Sequence, residues 1–156
     1  MTHAMPSAKS LLLDTNVVLH LTRDGNTAAK AIDSQFALST SRFRPSICEV
    51  TVGELLAFTL SNKWGDKRIR ALRTEIDRCL LIPISTPGVH DRWASISSAA
   101  KKRGVTIGQN DLWIAAAASV SNLTVLTTDT GDFGQLRRLG LVDAILLDAK
   151  TGLRLP

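Results

Sequence analysis

Four carboxylate residues of this chain stand inside or directly beside apolar runs, where an ionised group is rarely left alone. They are Asp14 after the run 11–13, Glu54 within 50–58, Asp111 before 112–118 and Asp129 after 123–128. An ionised carboxylate beside apolar surface is costly unless something positive joins it. Four such groups meeting at one place would repel one another and call for a hard cation such as Mg²⁺ or Mn²⁺.

The residue type indicates which chemistry such a site would perform. Carboxylates are hard oxygen ligands, which suit Mg²⁺ or Mn²⁺ far better than zinc. One or two of these ions can activate water and stabilise charge on a phosphoryl group during in-line displacement. The chain shows no competing Ser/His/Asp set, P-loop or glycine-rich dinucleotide fingerprint.

Each acid also has a purely structural explanation. Asp14 could cap a helix, Asp111 could complement a helix dipole, and Asp129 could belong to a turn or a cap. No capping rule covers Glu54, although it could be partly exposed or paired with an arginine. The four together are harder to explain in this way than any one alone.

The elements that must position these side chains alternate between apolar strands and helices. Strands are predicted at 11–13, 79–84, 123–127 and 142–147, and helices at 17–21, 27–36, from 46 onward, 63–78, 89–103 and 110–120. This order predicts an α/β fold whose central, mainly parallel β-sheet is flanked by helices. Sites in such sheets form outside the carboxyl ends of the strands, so the four acids are expected to converge at one rim.

Two local patterns refine this expectation. Ser46 and Glu49 have the spacing of a capping box, with Ser46 as N-cap of the next helix, which would explain Glu49 but not Glu54. Glu54 would share an inward-pointing helix face with Val50, Ala57 and Phe58. The segment 130–132 is predicted to be a turn.

The bulk composition limits the class of protein. The 156 residues suit one domain, predicted over 10–156 after a flexible segment 1–9. A net charge of +5 suits a polyanionic partner. Cys48 and Cys79 lack metal-ligand spacing and are expected to be small buried hydrophobes. No run is long enough to span a membrane, and nothing suggests an oxidising compartment, so a cytoplasmic location is expected.

Four blocks of the chain resemble the signature blocks of PIN-domain proteins, and most of all VapC-type toxins of bacterial toxin–antitoxin pairs. The blocks are 12–17, 54–55, 108–116 and 127–133, and they occur in the family's order. No single block is specific, whereas all four in order are quite specific.

The resemblance implies a Mg²⁺- or Mn²⁺-dependent endoribonuclease whose RNA substrate is cut by metal-activated water. It implies that Asp14, Glu54, Asp111 and Asp129 hold the metal, and that Asn16, Thr128 and Asp132 support them. Asp129 and Asp132 both qualify as the fourth acid, and Asp129 is preferred because it lies at a strand end. The resemblance also implies a homodimer and a cognate VapB-like antitoxin.

RNA must also be held, and the basic residues supply candidates. They are Arg42, Arg44, Lys63, Lys67, Arg68, Lys101, Lys102 and Arg103, although a solvated surface explains any one of them more simply. Trp64 could stack a base, but packing explains it better, as it does for Trp113.

Three alternatives stay open at this point. A non-catalytic RNA-binding or partner-binding module on the same fold would bind RNA without Mg²⁺. A phosphatase of the HAD type usually has a second Asp two positions after the first, where this chain has Asn16. A receiver domain has an acidic pair at the first strand, where Leu13 precedes Asp14.

Overall fold

The computed structural model describes residues 6–23 and 25–156. Its centre is a five-stranded sheet with the order β3-β2-β1-β4-β5, in which all four neighbouring pairs are parallel. The strands are β1 (Leu11–Leu13), β2 (Ser46–Cys48), β3 (Leu80–Ile82), β4 (Thr124–Thr127) and β5 (Ala144–Leu146). The predicted α/β architecture with a parallel central sheet is confirmed.

Helices fill most of the chain between the strands. They are α1 (Thr15–Leu21), α2 (Thr27–Phe36), α3 (Glu49–Ser61), α4 (Asp66–Asp77), α5 (Val89–Lys102), α6 (Gln109–Val120) and α7 (Asp132–Arg138). No helix of the described residues is long and apolar enough to cross a lipid bilayer.

The helices form two layers, one on each face of the sheet. Alternate residues of β1 show this directly, because Leu12 packs with α5, α6 and α7 while Leu11 and Leu13 pack with α1 to α4. Successive side chains of a strand point to opposite faces, so a strand that is buried throughout contributes to both cores. All three leucines are buried, as a central strand requires.

Because every strand runs in the same direction, all carboxyl ends meet at one edge of the sheet, here called the carboxyl edge. The register aligns Leu13 of β1 with Leu126 of β4, so the residues that follow these strands emerge side by side. This edge is where the sequence predicts that Asp14 and Asp129 converge.

The predicted capping box at Ser46 is wrong. Ser46 is the first residue of β2, and α3 begins at Glu49 after Cys48 as N-cap. Pairing of β2 with both β1 and β3 buries all three of its residues, and this tertiary pairing overrides the local signal. Cys48 is accordingly a strand residue and not a helical one, and both it and Cys79 are buried free thiols, as predicted.

The segment 130–132 is a turn only in part, because Asp132 begins α7, a helix that the sequence does not predict. Seven residues with a glycine inside give a weak helical signal. Gly134 lies against β5, where an added Cβ would sit 3.8 Å from Leu146 Cδ1. Packing against the sheet, rather than local propensity, therefore accounts for this helix.

The predicted flexible segment 1–9 falls partly on residues 1–5, which lie outside the described residues. Within the described part, Ala8–Ser10 form a short 3₁₀ turn, and Ala8 is buried.

Candidate functional site

Asp14 follows β1 directly and serves as N-cap of α1. One of its carboxylate oxygens accepts a hydrogen bond from the backbone N–H of Thr15 at 2.7 Å. The other accepts from the Thr127 hydroxyl at 2.6 Å and from the Asn16 amide at 3.0 Å. Burial raises the pKa of Asp14, and the hydrogen bonds from Thr127 and Thr15 oppose that rise. The carboxylate is therefore a structural cap and a buried, oriented charge at the same time.

Glu54 reaches the same edge from the second turn of α3. Its two oxygens accept hydrogen bonds from the Thr15 hydroxyl at 2.7 Å and from the Asn110 amide at 3.1 Å. These contacts tie α3 to the first residues of α1 and α6. Glu54 is half-buried, and the fully buried face of α3 is Thr51, Leu55 and Thr59. The predicted inward face is wrong at Ala57, which is exposed, whereas Val50 and Phe58 are half-buried and pack against the two cores.

Asp111, Asp129 and Asp132 form the tightest group of carboxylates, here called the acidic trio. One oxygen from each lies within 4.8 Å of the others. Asp129 accepts from the backbone N–H groups of Gly131 and Asp132, which closes the turn before α7. Asp132 accepts from the backbone N–H of Gly108 at 2.8 Å, which joins α7 to the N-terminus of α6.

Asp111 is the most perturbed acid of the site. Burial raises its pKa to about 8, helped by a hydrogen bond with Asp132 and by the negative charges of Asp14, Asp129 and Asp132. A carboxyl that holds its proton near neutral pH marks a place where negative charge is in excess. The charge effect also shows that Asp14 lies close enough to the acidic trio to act on it.

No described lysine, arginine or histidine forms a salt bridge with any of these five acids. The salt bridge that the described residues do contain joins Arg78 to Glu75, away from this edge. A set of oxygen donors with surplus negative charge and no internal counter-ion fits a hard divalent cation. The residues present are therefore suited to hold such an ion.

The structure brings all four predicted acids to the carboxyl edge. Asp132 belongs to the acidic trio itself, so Asp129 and Asp132 both lie close enough to Asp111 to act as the fourth acid. Asn16 contributes its amide N–H to Asp14 and its carbonyl oxygen to the backbone N–H of Thr128. Thr128 thus takes part through its backbone.

The predicted RNA-contacting residues are scattered over the surface. Arg42 and Arg44 precede β2 and so lie at the opposite, amino edge of the sheet. The Arg44 guanidinium donates to the backbone carbonyls of Asp77, Arg78 and Cys79, which gives it a structural role at the end of α4. These two arginines do not join the acidic site.

The other basic candidates divide into two groups. Lys67 and Arg68 lie in the first turn of α4, next to exposed Lys63, and the Arg68 guanidinium stacks 4.0 Å above the Trp64 ring. Lys101 and Lys102 end α5, followed by Arg103. Trp64 is buried against Phe58, so the packing explanation of this tryptophan is confirmed.

Several participants are not predicted from the sequence. Thr15 and Thr127 supply the hydroxyl donors to Glu54 and Asp14, and Asn110 supplies the amide donor to Glu54. In the sequence, each of these three residues stands within two positions of a predicted acid, and this is the signal that could have identified them. Arg137 and Arg138 are exposed at the end of α7. A hydrogen bond from Arg103 to the Leu139 carbonyl links this helix end to the end of α5, while Arg137 lies beside Thr124 and Ala144, the first residues of β4 and β5.

A parallel five-stranded sheet with acids gathered at its carboxyl edge defines a class of α/β proteins whose site lies at the ends of the strands. A comparison with known protein families identifies the class more closely, because residues 11–146 match the PIN domain. The chain belongs to the PIN-domain family.

Individual relatives agree with this assignment. The chain is 28% identical over 130 residues to a protein named Ribonuclease VapC1 of Haemophilus influenzae strain R2866, covering 82% of this chain and 92% of the relative. Its fold matches a chain in the crystal structure of VapBC2 from Rickettsia felis bound to a promoter DNA fragment. That match has a TM-score of 0.73 and 20% identity, over 88% of this chain and 98% of the other.

A third match is to VapBC-5 from Mycobacterium tuberculosis, described as a member of the VapBC family of toxin–antitoxin systems. Its TM-score is 0.62 and its identity 23%, over 88% of this chain and 99% of the other. At this level of identity the likeness concerns the fold.

Proposed function

We propose that this protein is a divalent-metal-dependent endoribonuclease and the toxin component of a VapBC-like toxin–antitoxin pair. The observation that carries the proposal is the convergence of five acids at one edge, with one of them holding a proton to about pH 8. The relative named Ribonuclease VapC1 supports RNA as the substrate. The VapBC complexes among the solved structures of this fold support an antitoxin partner.

Asp14, Glu54, Asp111 and Asp129 are proposed to hold Mg²⁺ or Mn²⁺, with Asp132 beside them. When bound, such an ion lowers the pKa of water and stabilises charge on the phosphoryl group. The chain's own residues orient the site, because Thr127, Asn16 and Thr15 hold two carboxylates in place. Asp111 must lose its proton before it can serve as a ligand.

The RNA strand is proposed to run over the basic surface formed by the ends of α5 and α7, here called the α5–α7 basic patch. It comprises Lys101, Lys102, Arg103 and Arg138. All four are exposed, and the Arg103–Leu139 contact joins the two helix ends. Positive charge beside an acidic site attracts the phosphate backbone that the acids alone would repel.

The proposed partners and location follow from this function. A VapB-like antitoxin would cover the acidic edge, and a second copy of this chain would complete a homodimer. An enzyme that cuts cellular RNA would work in the cytoplasm, where that RNA is found.

The decisive experiment measures cleavage of total RNA by purified protein with Mn²⁺, with Mg²⁺ and with EDTA. Cleavage should require the metal and should be lost in Asp14→Ala and Asp111→Ala proteins that keep the parental circular dichroism spectrum. Asp143→Ala, at an exposed acid before β5, serves as the matched control and should cut like the parent. Cleavage by either site variant at the parental rate would disprove the proposal.

The second candidate function is a non-catalytic RNA-binding module on the same fold. The α5–α7 basic patch favours RNA binding in either case. Binding without any metal-dependent cleavage in the same assay would select this candidate.

A further inference from the structure

A cavity of about 370 Å³ lies between α5 and the loop that leads into α6. One wall is a single face of α5 that includes Trp93, Ser97 and Lys101, and the opposite wall includes Thr106 and Gly108. This volume is in the range of sites that take small ligands. The acids described above are not among its lining residues, so it is a separate feature of the surface.

The cavity is continuous with the acidic site through one residue. Gly108 lines the cavity, and its backbone N–H donates to Asp132 of the acidic trio at 2.8 Å. The neighbouring Gln109 lines the cavity too and begins the helix that carries Asp111. A strand whose phosphate lies at the acidic trio therefore has its adjacent nucleotide at the cavity.

The lining has the chemistry of a base pocket. Trp93 is stacked on Trp113 at a centroid distance of 5.2 Å, so its ring is held by packing on one side. Among the described residues, its indole N–H is buried and has no hydrogen-bond acceptor. This N–H is not accessible from the cavity; the rest of the Trp93 ring, which is half-buried and lines the cavity, is the surface on which a base would lie.

The positive charge at the rim of the cavity favours an anionic ligand. Lys101 lines the cavity and is exposed at the end of α5, where the α5–α7 basic patch begins. An aromatic wall with a lysine at its rim suits a nucleotide, because the base enters the cavity while its phosphate meets the amine.

We propose that the α5–α6 cavity is a nucleobase subsite that holds an unpaired base of the RNA next to the scissile phosphate. The inference rests on the proposed ribonuclease function for the identity of the polymer. It assigns the choice of cut site in part to Trp93, Lys101 and the loop that carries Thr106.

The first test observes the cavity directly, without any cleavage. The protein has three tryptophans, and their indole N–H signals are resolved by ¹⁵N–¹H correlation, with Trp93→Phe identifying the Trp93 signal. Titration with adenosine, cytidine, guanosine and uridine 5′-monophosphates in EDTA should shift the Trp93 signal with at least one of them. The Trp64 signal should stay in place. No movement of the Trp93 signal with any of the four would overturn the proposal.

The second test blocks the cavity. Thr106→Trp places a large ring at the lining, and Thr74→Trp makes the same change on the exposed surface of α4. Binding of a five-nucleotide RNA is measured in EDTA, with an abasic residue at each position in turn. One abasic position should weaken binding by the parent and by Thr74→Trp about tenfold, as loss of a stacked base does. The Thr106→Trp protein should bind this RNA more weakly than the parent does, and no single abasic position should weaken its binding further.

Lysine variants give a matched pair for the rim. Lys101→Gln should weaken binding of the same RNA more than Lys102→Gln, because only Lys101 lines the cavity. A flat abasic scan with the parent, or equal effects of Thr106→Trp and Thr74→Trp, would overturn the subsite. A change in sedimentation of Thr106→Trp would identify a second copy of the chain as the occupant and would overturn it too.

The outcomes separate this proposal from the ribonuclease proposal. If the protein cleaves RNA with metal but no abasic position weakens binding, the nucleobase subsite is wrong and the ribonuclease proposal stands. If one abasic position weakens binding but no RNA is cleaved, the nucleobase subsite stands and the ribonuclease proposal is wrong.

Discussion

The Thr127 hydroxyl donates a 2.6 Å hydrogen bond to Asp14, and both side chains are buried. The same hydroxyl oxygen accepts from the backbone N–H of Asp129 at 2.9 Å. One hydroxyl therefore sets the distance between the acid that follows β1 and the acid that follows β4. Asn16 provides a second link between the same two segments, since its amide binds Asp14 and the backbone N–H of Thr128.

Thr127→Val removes this hydroxyl while keeping the shape of the side chain. The loss should cost about 1–3 kcal/mol of unfolding free energy, because a buried carboxylate loses a donor. RNA cleavage should fall at least tenfold, while Thr127→Ser should keep most of both. Urea denaturation and initial cleavage rates measure the two effects.

Thr128→Val is the control for this change, because the Thr128 hydroxyl makes no hydrogen bond among the described residues and only its backbone N–H donates there, to Asn16. This variant should resemble the parent in stability. Equal losses in Thr127→Val and Thr128→Val would contradict the role assigned to the Thr127 hydroxyl.

Metal-free protein should lose stability as the pH rises from about 4 to about 8. Burial and neighbouring acids raise the pKa of Asp111 from 3.8 to about 8 in the folded state. The folded state then binds more protons than the unfolded state across that interval, so the unfolding free energy falls as pH increases. In the Asp111→Asn protein, the unfolding free energy should change less with pH over this interval.

Thermal unfolding in EDTA at pH 5 and at pH 8.5 measures the effect, with parent and Asp111→Asn compared at each pH. Mn²⁺ should raise the melting temperature of the parent at pH 8.5 much more than that of the variant. Parallel profiles for the two proteins would show that Asp111 is not the group responsible.

The fourth ligand can be assigned by comparing Asp129→Asn with Asp132→Asn. Asp132 has one oxygen bound to the Gly108 N–H and also shares a hydrogen bond with Asp111. The two hydrogen bonds that the Asp129 carboxylate accepts from the described residues both go to one oxygen, Oδ1. Asp129→Asn should therefore weaken Mn²⁺ binding more than Asp132→Asn does, as calorimetric titration would show. The reverse order would assign the ligand to Asp132.

The path of the RNA is tested by an arginine pair with the same change of charge. Arg103→Gln, in the α5–α7 basic patch, should lower the slope of log affinity against log salt by about 1. Arg42→Gln, at the amino edge beside the Phe43 ring, should leave that slope unchanged. Filter binding to total tRNA in EDTA at several salt concentrations distinguishes them. A larger effect of Arg42→Gln would move the path to the other edge.

Gly152 should be intolerant of any side chain. It has a φ of +71°, and an added Cβ would collide with the backbone carbonyl of Ala28. Gly152→Ala should cost about 2–4 kcal/mol, combining left-handed strain with overpacking. Gly140→Ala has nearly the same φ but open space around it, so it should cost only about 1 kcal/mol. Chemical denaturation of both proteins measures the difference, and equal costs would refute the collision.

Much of the sheet could be predicted because its central strands are short apolar runs. Leu11–Leu13 and the strand ending at Thr127 carry strong signals, and their parallel pairing alone brings Asp14 and Asp129 together. Two of the errors arose where tertiary packing outweighs local preference. Ser46 has the local pattern of a cap but pairs in the sheet, and α7 packs against β5 although its local helical signal is weak.

The contacts of Glu54 could not be predicted, for a different reason. Its partners Thr15 and Asn110 lie on two other helices, and their distances depend on how α3 crosses the sheet. Sequence spacing gives the face of a helix but not its crossing angle. Residue type therefore identified the acids, whereas the donors that hold them required coordinates.

The strand order has a consequence for the synthesis of the protein. β1 is translated before β2, β3 and β4 but pairs directly with β4, so the side of β1 that faces β4 stays unpaired until β4 has left the ribosome. Asp129 and Asp132 leave the ribosome last among the five acids. A nascent chain that stalls before β4 therefore lacks both of these acids and cannot assemble the proposed metal site.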